Sequence, residues 1–304
     1  MKGRIFVAEV RGFCSGVERA IRLVEQALEE GPFPVRVLHE IVHNEHVVDS
    51  FRSRGVIFAE ELDPSWNGGT LIFSAHGVSR EIEERARKMN VRLLDATCPI
   101  VKGVHRRAAQ LEEEGYSLIL IGKRSHREIE GVIGRLKKTP YVVENQSDIE
   151  RIPHVSEGRW ACLTQTTLSA DDCAGLFELL KQRIPGIRIC SGICGATAAR
   201  QRAVKALAQH CASILVIGSP ISSNSRKLRD VAESCGVPAR LISSADELDP
   251  ATLPPGDIGI TSGASAPEYL LRETVAKLRS AGWIEDSASG ERASLNAECT
   301  ENIS

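Results

Sequence analysis

The sequence predicts an α/β protein of three similar small lobes with mainly parallel sheets, set in a pseudo-threefold trefoil around a central metal site. Three observations carry that prediction. Short, β-branched apolar runs alternate with helical patterns along the chain, as parallel βαβ units do. Three times a short strand runs into a cysteine that a helix then follows, at Cys14, Cys98 and Cys194. Within each interval two further strand-to-helix junctions carry polar residues, so the chain repeats one plan.

The elements follow in order. Residues 5–8, 35–38, 71–73, 118–121, 214–217 and 258–260 read as strands. Val17, Ala20, Ile21, Val24 and Leu28 share one helical face, and Gly31 supplies a left-handed stop. Ser169 with Asp172, and Ser265 with Glu268 across Pro267, are N-capping signals before two later helices. The repeat sets lobe boundaries at 14–97, at 98–193, and at 1–13 joined with 194–283. Residues 284–304, with Cys299, form a polar, aperiodic tail expected to be disordered.

Composition narrows the class of function. Lysine plus arginine (38) nearly balance aspartate plus glutamate (40) over 304 residues, so no net field draws the protein to nucleic acid or an anionic membrane. An anionic ligand must be met locally. The N-terminal apolar run is too short for a signal peptide and no stretch reaches transmembrane length, so a cytoplasmic protein is expected. No Gly-x-Gly-x-x-Gly or Gly-Lys-Ser/Thr phosphate loop occurs, and electrons for any reduction must come from outside.

Nine cysteines in a reducing compartment read as thiols, ligands or core residues. Cys162, Cys173, Cys211 and Cys235 sit in or beside apolar patterns and read as small hydrophobes. Cys14, Cys98 and Cys194 stand instead at equivalent helix starts, where thiol pKa falls, and make good thiolate ligands. Three thiolates suit a cubane iron–sulfur cluster with one open iron, or a zinc with one open position, and spacing does not separate the metals. Cys190 competes with Cys194 locally, but ends an apolar strand and reads as packing.

In such units ligands gather beyond the carboxyl ends of strands, at helix N-termini. His43, His76 and His126, with Ser222, Ser223, Asn224 and Ser265 in the third lobe, supply hydrogen-bond donors suited to a diphosphate. Thr166 falls at an equivalent junction. Glu128 can relay protons, with a first-turn helix carboxylate as its plain alternative and Glu130 nearby. His39-Glu40-Ile41-Val42-His43 matches the zinc-protease pattern, but a strand enters it and Asn44 starts a helix after it, so its histidines are not expected to share a face.

Several separated motifs then resemble one family. Gly-Phe-Cys-Ser-Gly-Val at 12–17, His-Glu-Ile-Val-His-Asn at 39–44, Phe-Ser-Ala-His-Gly-Val-Ser at 73–79 and Asp-Ala-Thr-Cys-Pro at 95–99 are followed by Thr-Gln-Thr-Thr-Leu-Ser at 164–169, Ser-Ser-Asn-Ser at 222–225 and Gly-Ala-Ser-Ala-Pro at 263–267. In that order they resemble the LytB-type 4-hydroxy-3-methylbut-2-enyl diphosphate reductases, from about residue 4 to 282.

The resemblance implies two-electron reductive removal of an allylic hydroxyl, yielding isopentenyl and dimethylallyl diphosphates as the last step of the non-mevalonate isoprenoid pathway. It implies one [4Fe-4S] cluster on Cys14, Cys98 and Cys194, and diphosphate binding by His43, His76, His126, Ser222, Ser223, Asn224 and Ser265. Glu128 is similar to the family's proton donor, and Thr166 to the residue that orients the hydroxyl. A ferredoxin- or flavodoxin-type electron donor and a monomer, with no nucleic-acid or membrane partner, complete the expectation. Alternatives from other classes are a non-catalytic iron–sulfur sensor or carrier, and a zinc hydrolase. The chain departs from the family pattern at Lys123-Arg124, at Arg127 where proline is usual, at Pro220-Ile221, and at Gly195 and Ala198-Ala199, without losing an expected ligand.

Overall fold

The computed structural model describes residues 2–153 and 158–286, so the expected tail beyond 286, with Cys299, lies outside the described residues. In chain order β1 (Arg4–Val7) and α1 (Ser15–Glu30) lead to β2 (Val35–Leu38), α2 (Glu45–Ser53), β3 (Ile57–Ala59), β4 (Thr70–Phe73), α3 (Arg80–Arg87) and β5 (Arg92–Asp95). Next come α4 (Pro99–Glu113), β6 (Tyr116–Ile121), α5 (Arg127–Ile133), β7 (Tyr141–Val143), α6 (Gln146–Glu150), β8 (Arg159–Thr164), α7 (Ala170–Arg183) and β9 (Arg188–Cys190). The chain continues through α8 (Gly195–Ala208), β10 (Ser213–Ile217), α9 (Ser223–Ser234), β11 (Ala239–Ile242), β12 (Ile258–Ser262), α10 (Glu268–Ser280) and β13 (Ile284–Glu285).

Among the described residues the strands form three sheets in which every pairing is parallel. Two have the orders β3-β2-β4-β5 and β7-β6-β8-β9, the same plan. The third, β11-β10-β12-β1-β13, repeats it with β1 from the chain start in the fourth place. The expected repeat is therefore a repeat of sheet topology, with its last copy closed by the N-terminus. Residues 15–194 make one unit holding two of these sheets, and residues up to 14 with those from 195 onward make the other.

Each sheet is apolar because helices cover both of its faces. In the unit of residues 15–194, Ile119 and Ile121 of β6 pack with Cys162 and Leu180 on one side, while Leu118 and Leu120 pack with Ala108 and Leu111 on the other. In the other unit, Leu215 and Ile217 of β10 join Ile5, Ile258 and Leu271, while Ile214 and Val216 join Val204 and Leu228. The period of two thus feeds two cores. Fully burying one such side chain contributes about 1.5–3 kcal/mol.

Local outcomes differ from the expectations at a few points. Ser169 caps α7, its hydroxyl accepting from the Asp172 N–H, but α10 begins at Glu268 with Pro267 in the capping position and no side-chain cap bond. Pro267, extended at φ −59° and ψ 142°, keeps the chain out of the helix until the next residue, so Ser265 stays in the turn. Cys235, expected as a small buried hydrophobe, is exposed at the C-cap of α9. Ile284 and Glu285, placed in the tail by the sequence, pair with Arg4 and Ile5 as β13. Their pairing uses backbone groups, which composition does not report.

Candidate active site

The order β2-β4, β6-β8 and β10-β12 puts the first and third strand of each repeat side by side, the crevice where parallel α/β sheets bind ligands. The expected site residues follow these strands. His43 comes after β2, His76 after β4, His126 after β6, Thr166 after β8, Ser222 to Asn224 after β10, and Ser265 after β12. The three cysteines follow the fourth strands, β1, β5 and β9.

In the unit of residues 15–194 the three histidines meet. The rings of His43 and His76 stack with centroids 4.0 Å apart and planes 24° apart. His126 stands edge-on to both, at 5.4 Å from His43 and 5.8 Å from His76. His126 caps α5, its Nδ1 accepting from the Glu128 N–H at 3.2 Å. A ring that accepts at Nδ1 carries its proton on Nε2. His43 Nδ1 lies 3.2 Å from a Glu40 carboxylate oxygen. Burial and the neighbouring His43 and His126 hold the His76 pKa well below the usual histidine range, so its ring is neutral.

His39 does not join them as the protease pattern would require. It follows β2 at φ +62°, its N–H donates to the Ala59 carbonyl, and residues 39–43 form no helix. Asn44 instead starts α2, its side chain accepting from the Val47 N–H at 3.2 Å. Arg127, the departure beside His126, is held by ion pairs to Glu60 at 2.8 Å and Glu130 at 3.1 Å.

Two residues beyond the capping histidine, Glu128 is 2% exposed. Thr166 supplies donors to both its oxygens, the backbone N–H to Oε1 at 2.8 Å and the hydroxyl to Oε2 at 2.9 Å. Burial raises the Glu128 pKa to about 7, against these bonds, which lower it. A carboxyl poised there can give a proton at neutral pH. The Thr166 carbonyl accepts from the Cys194 N–H at 3.2 Å, which ties the turn after β8 to Cys194.

In the other unit Ser222 caps α9 by accepting from the Ser225 N–H at 3.3 Å, which leaves its hydroxyl proton for another partner. Asn224 is 5% exposed, and both polar atoms of its side chain are buried without a hydrogen-bond partner among the described residues. Leaving a buried polar group unpaired costs about 1–3 kcal/mol, a cost that a polar ligand removes. Ser265 is 7% exposed in the turn before α10. The Cys14 N–H bonds to the Ala264 carbonyl at 3.2 Å, next to that serine.

Cys14, Cys98 and Cys194 each immediately precede a helix and are partly buried. Cys98 is the N-cap of α4, yet its side chain makes no capping bond. Its loop is fixed by others: Arg19 donates to the Asp95 and Thr97 carbonyls, and the Asp95 carboxylate accepts from the Thr97 N–H at 2.9 Å. Cys162, Cys173 and Cys211 differ, being buried, with burial pushing the Cys211 thiol up to about 11 and the Cys162 thiol higher still. Among the described residues no group of three His, Cys, Asp or Glu side chains is arranged to hold a metal ion. Cys98 and Cys194 belong to the unit of residues 15–194 and Cys14 to the other.

Sequence reasoning passed over Gln165 and His105. Buried Gln165 accepts from the Lys123 N–H at 3.1 Å and donates to the Thr167 hydroxyl at 2.7 Å, lacing the ends of β6 and β8 beside Thr166. Its place in the Thr-Gln-Thr-Thr motif was the available signal. His105, 4% exposed on α4, had none beyond its apolar helical register.

The family described as "LytB protein" matches residues 5–279. A protein of Burkholderia mallei named 4-hydroxy-3-methylbut-2-enyl diphosphate reductase 2 is 44% identical over 281 residues, covering 91% of this chain and 86% of that protein. The 4-hydroxy-3-methylbut-2-enyl diphosphate reductase of Bordetella pertussis is 46% identical over 283 residues, with 92% and 87% covered. Among solved structures, the E-1-hydroxy-2-methyl-but-2-enyl-4-diphosphate reductase from Plasmodium falciparum matches with a TM-score of 0.90 at 35% identity, covering 94% of this chain and 92% of that one. The family match runs from β1 into α10 and takes in every strand-end residue described above, and on that extent the chain belongs to the LytB family.

Proposed function

We propose that this protein reduces (E)-4-hydroxy-3-methylbut-2-enyl diphosphate to isopentenyl and dimethylallyl diphosphates, the terminal step of the non-mevalonate pathway. The reaction consumes two electrons and two protons, breaks the allylic C–O bond, forms a C–H bond and releases water. The observation that carries this reading is a buried carboxyl with a pKa near 7, two residues past one of three clustered imidazoles, in a chain of this family. A sensor or electron carrier needs neither feature.

A [4Fe-4S] cluster on Cys14, Cys98 and Cys194 would supply the electrons and an open Lewis-acidic iron. The chain's own residues do the rest. His43, His76 and His126 bind diphosphate oxygens with ring N–H groups, and Ser222, Ser223, Asn224 and Ser265 add hydroxyl and amide donors. Glu128 holds the proton that lets the hydroxyl leave as water rather than hydroxide. Thr166, bonded to Glu128 Oε2, orients that hydroxyl and passes the proton. The two electrons arrive from a ferredoxin- or flavodoxin-type donor in the cytoplasm, and no described helix is long and apolar enough to cross a membrane.

The test is anaerobic. The iron- and sulfide-reconstituted protein is reduced, mixed with the substrate, and followed for cluster reoxidation and products. Both five-carbon diphosphates are expected. A fully assembled, reduced cluster that leaves this substrate unchanged overturns the assignment.

A further inference from the structure

His43 and His76 follow strands of one sheet, while His126 and Glu128 both follow β6 of the other sheet of the same unit. His105 lies on α4, two turns or roughly 10 Å beyond Cys98. It is buried and its Nε2 has no hydrogen-bond partner among the described residues. Its ring occupies a notch made by two glycines. A Cβ at position 77, immediately after His76, would lie 2.7 Å from His105 Cε1. A Cβ at position 131, one turn beyond Glu128 on α5, would lie 3.2 Å from His105 Nε2.

The two glycines also face each other, since the position-131 Cβ would sit 3.7 Å from the Gly77 carbonyl carbon. The seam continues past them. The Arg80 N–H donates to the Gly134 carbonyl at 3.1 Å, and Arg135 reaches the Val78 carbonyl at 3.1 Å and Glu83 at 2.7 Å. Gly77 has φ +77°, so it also serves the turn, but Gly131 sits inside a helix, where glycine is a poor choice. Close approach to His105 is the reason for it. A filler of this notch would ordinarily be apolar, because an unpartnered buried nitrogen is costly.

We infer that His105 is a positioning residue, which registers the His76 turn and the Glu128 helix against each other and against the helix that Cys98 starts. The inference rests on the reading of His76 as a diphosphate donor. Burial keeps His105 neutral, so it acts by shape rather than by charge.

The discriminating variant is Gly131→Ala in the cluster-loaded protein. Alanine favours the helix, while its methyl, 3.2 Å from Nε2, requires the His105 ring to give by a few tenths of an ångström. Affinity for inorganic pyrophosphate, measured by calorimetry, is expected to drop roughly tenfold, and turnover per intact cluster by up to about a hundredfold. His105→Ala should weaken both in the same direction, and combining it with Gly131→Ala should restore part of the loss, because the methyl then enters space the ring has left. Wild-type affinity and turnover in Gly131→Ala, or strictly additive losses in the double variant, overturn the inference. Wild-type protein that binds no pyrophosphate overturns the diphosphate reading and this inference with it.

Discussion

Thr166 meets both oxygens of the Glu128 carboxyl, its N–H on Oε1 at 2.8 Å and its hydroxyl on Oε2 at 2.9 Å. One residue thereby fixes the plane of the carboxyl. Replacing Glu128 by glutamine preserves size and an acceptor for the Thr166 N–H but removes the transferable proton. Turnover per cluster should fall about 10²- to 10⁴-fold, with iron and labile sulfide content unchanged. Near-normal turnover would remove Glu128 as the acid.

The same burial makes stability depend on pH with a definite sign. The Glu128 pKa rises from 4.5 to about 7 on folding, so the native state binds the proton more tightly than the unfolded chain. Its contribution is complete below pH 4.5 and is lost as pH rises through about 7. The change is of the order of 3 kcal/mol, at 1.36 kcal/mol per pKa unit. Wild type should therefore lose stability relative to Glu128→Gln between about pH 5 and about pH 8 in denaturant titrations. Parallel stability curves for the two proteins would contradict a raised carboxyl pKa. The turnover number should fall over the upper part of the same range.

Much of this site was legible because it is made of strand ends. Each donor follows a short apolar strand and precedes a helix, and the repeat of Cys14, Cys98 and Cys194 marks the fourth strand of each sheet. What spacing cannot report is which side chains face one another across a packed seam. The His105 notch depends on Gly77 and Gly131, which belong to different sheets' connections. The failed cap at Ser265 depends on one proline's backbone. Register inside a repeated unit is a sequence property, whereas contact between units of the repeat is a tertiary one.

Asn224 offers a trade between stability and binding. Its buried amide has no hydrogen-bond partner among the described residues, so Asn224→Ala should hold or raise ligand-free stability by about 1 kcal/mol. The same change should weaken pyrophosphate binding about tenfold, as expected for losing one or two hydrogen bonds to an anion. Thermal melts with and without pyrophosphate check both halves. A variant that is less stable and binds normally would make Asn224 a structural residue.

The ligand assignment separates cleanly at two cysteines four positions apart. Cys190 ends β9 and packs against the apolar cluster of Leu118, Leu163 and Val104. Cys194 lies beyond the strand at the start of α8, with its N–H held by the Thr166 carbonyl and its thiol partly buried. Serine at 190 should cost only a modest packing loss and leave the iron and sulfide content of the reconstituted protein unchanged. Serine at 194 replaces a soft thiolate with a hard hydroxyl that is protonated at neutral pH, and the cluster should be lost or fall to substoichiometric iron. Loss of the cluster from Cys190→Ser with its retention in Cys194→Ser would move the proposed third ligand to the strand end.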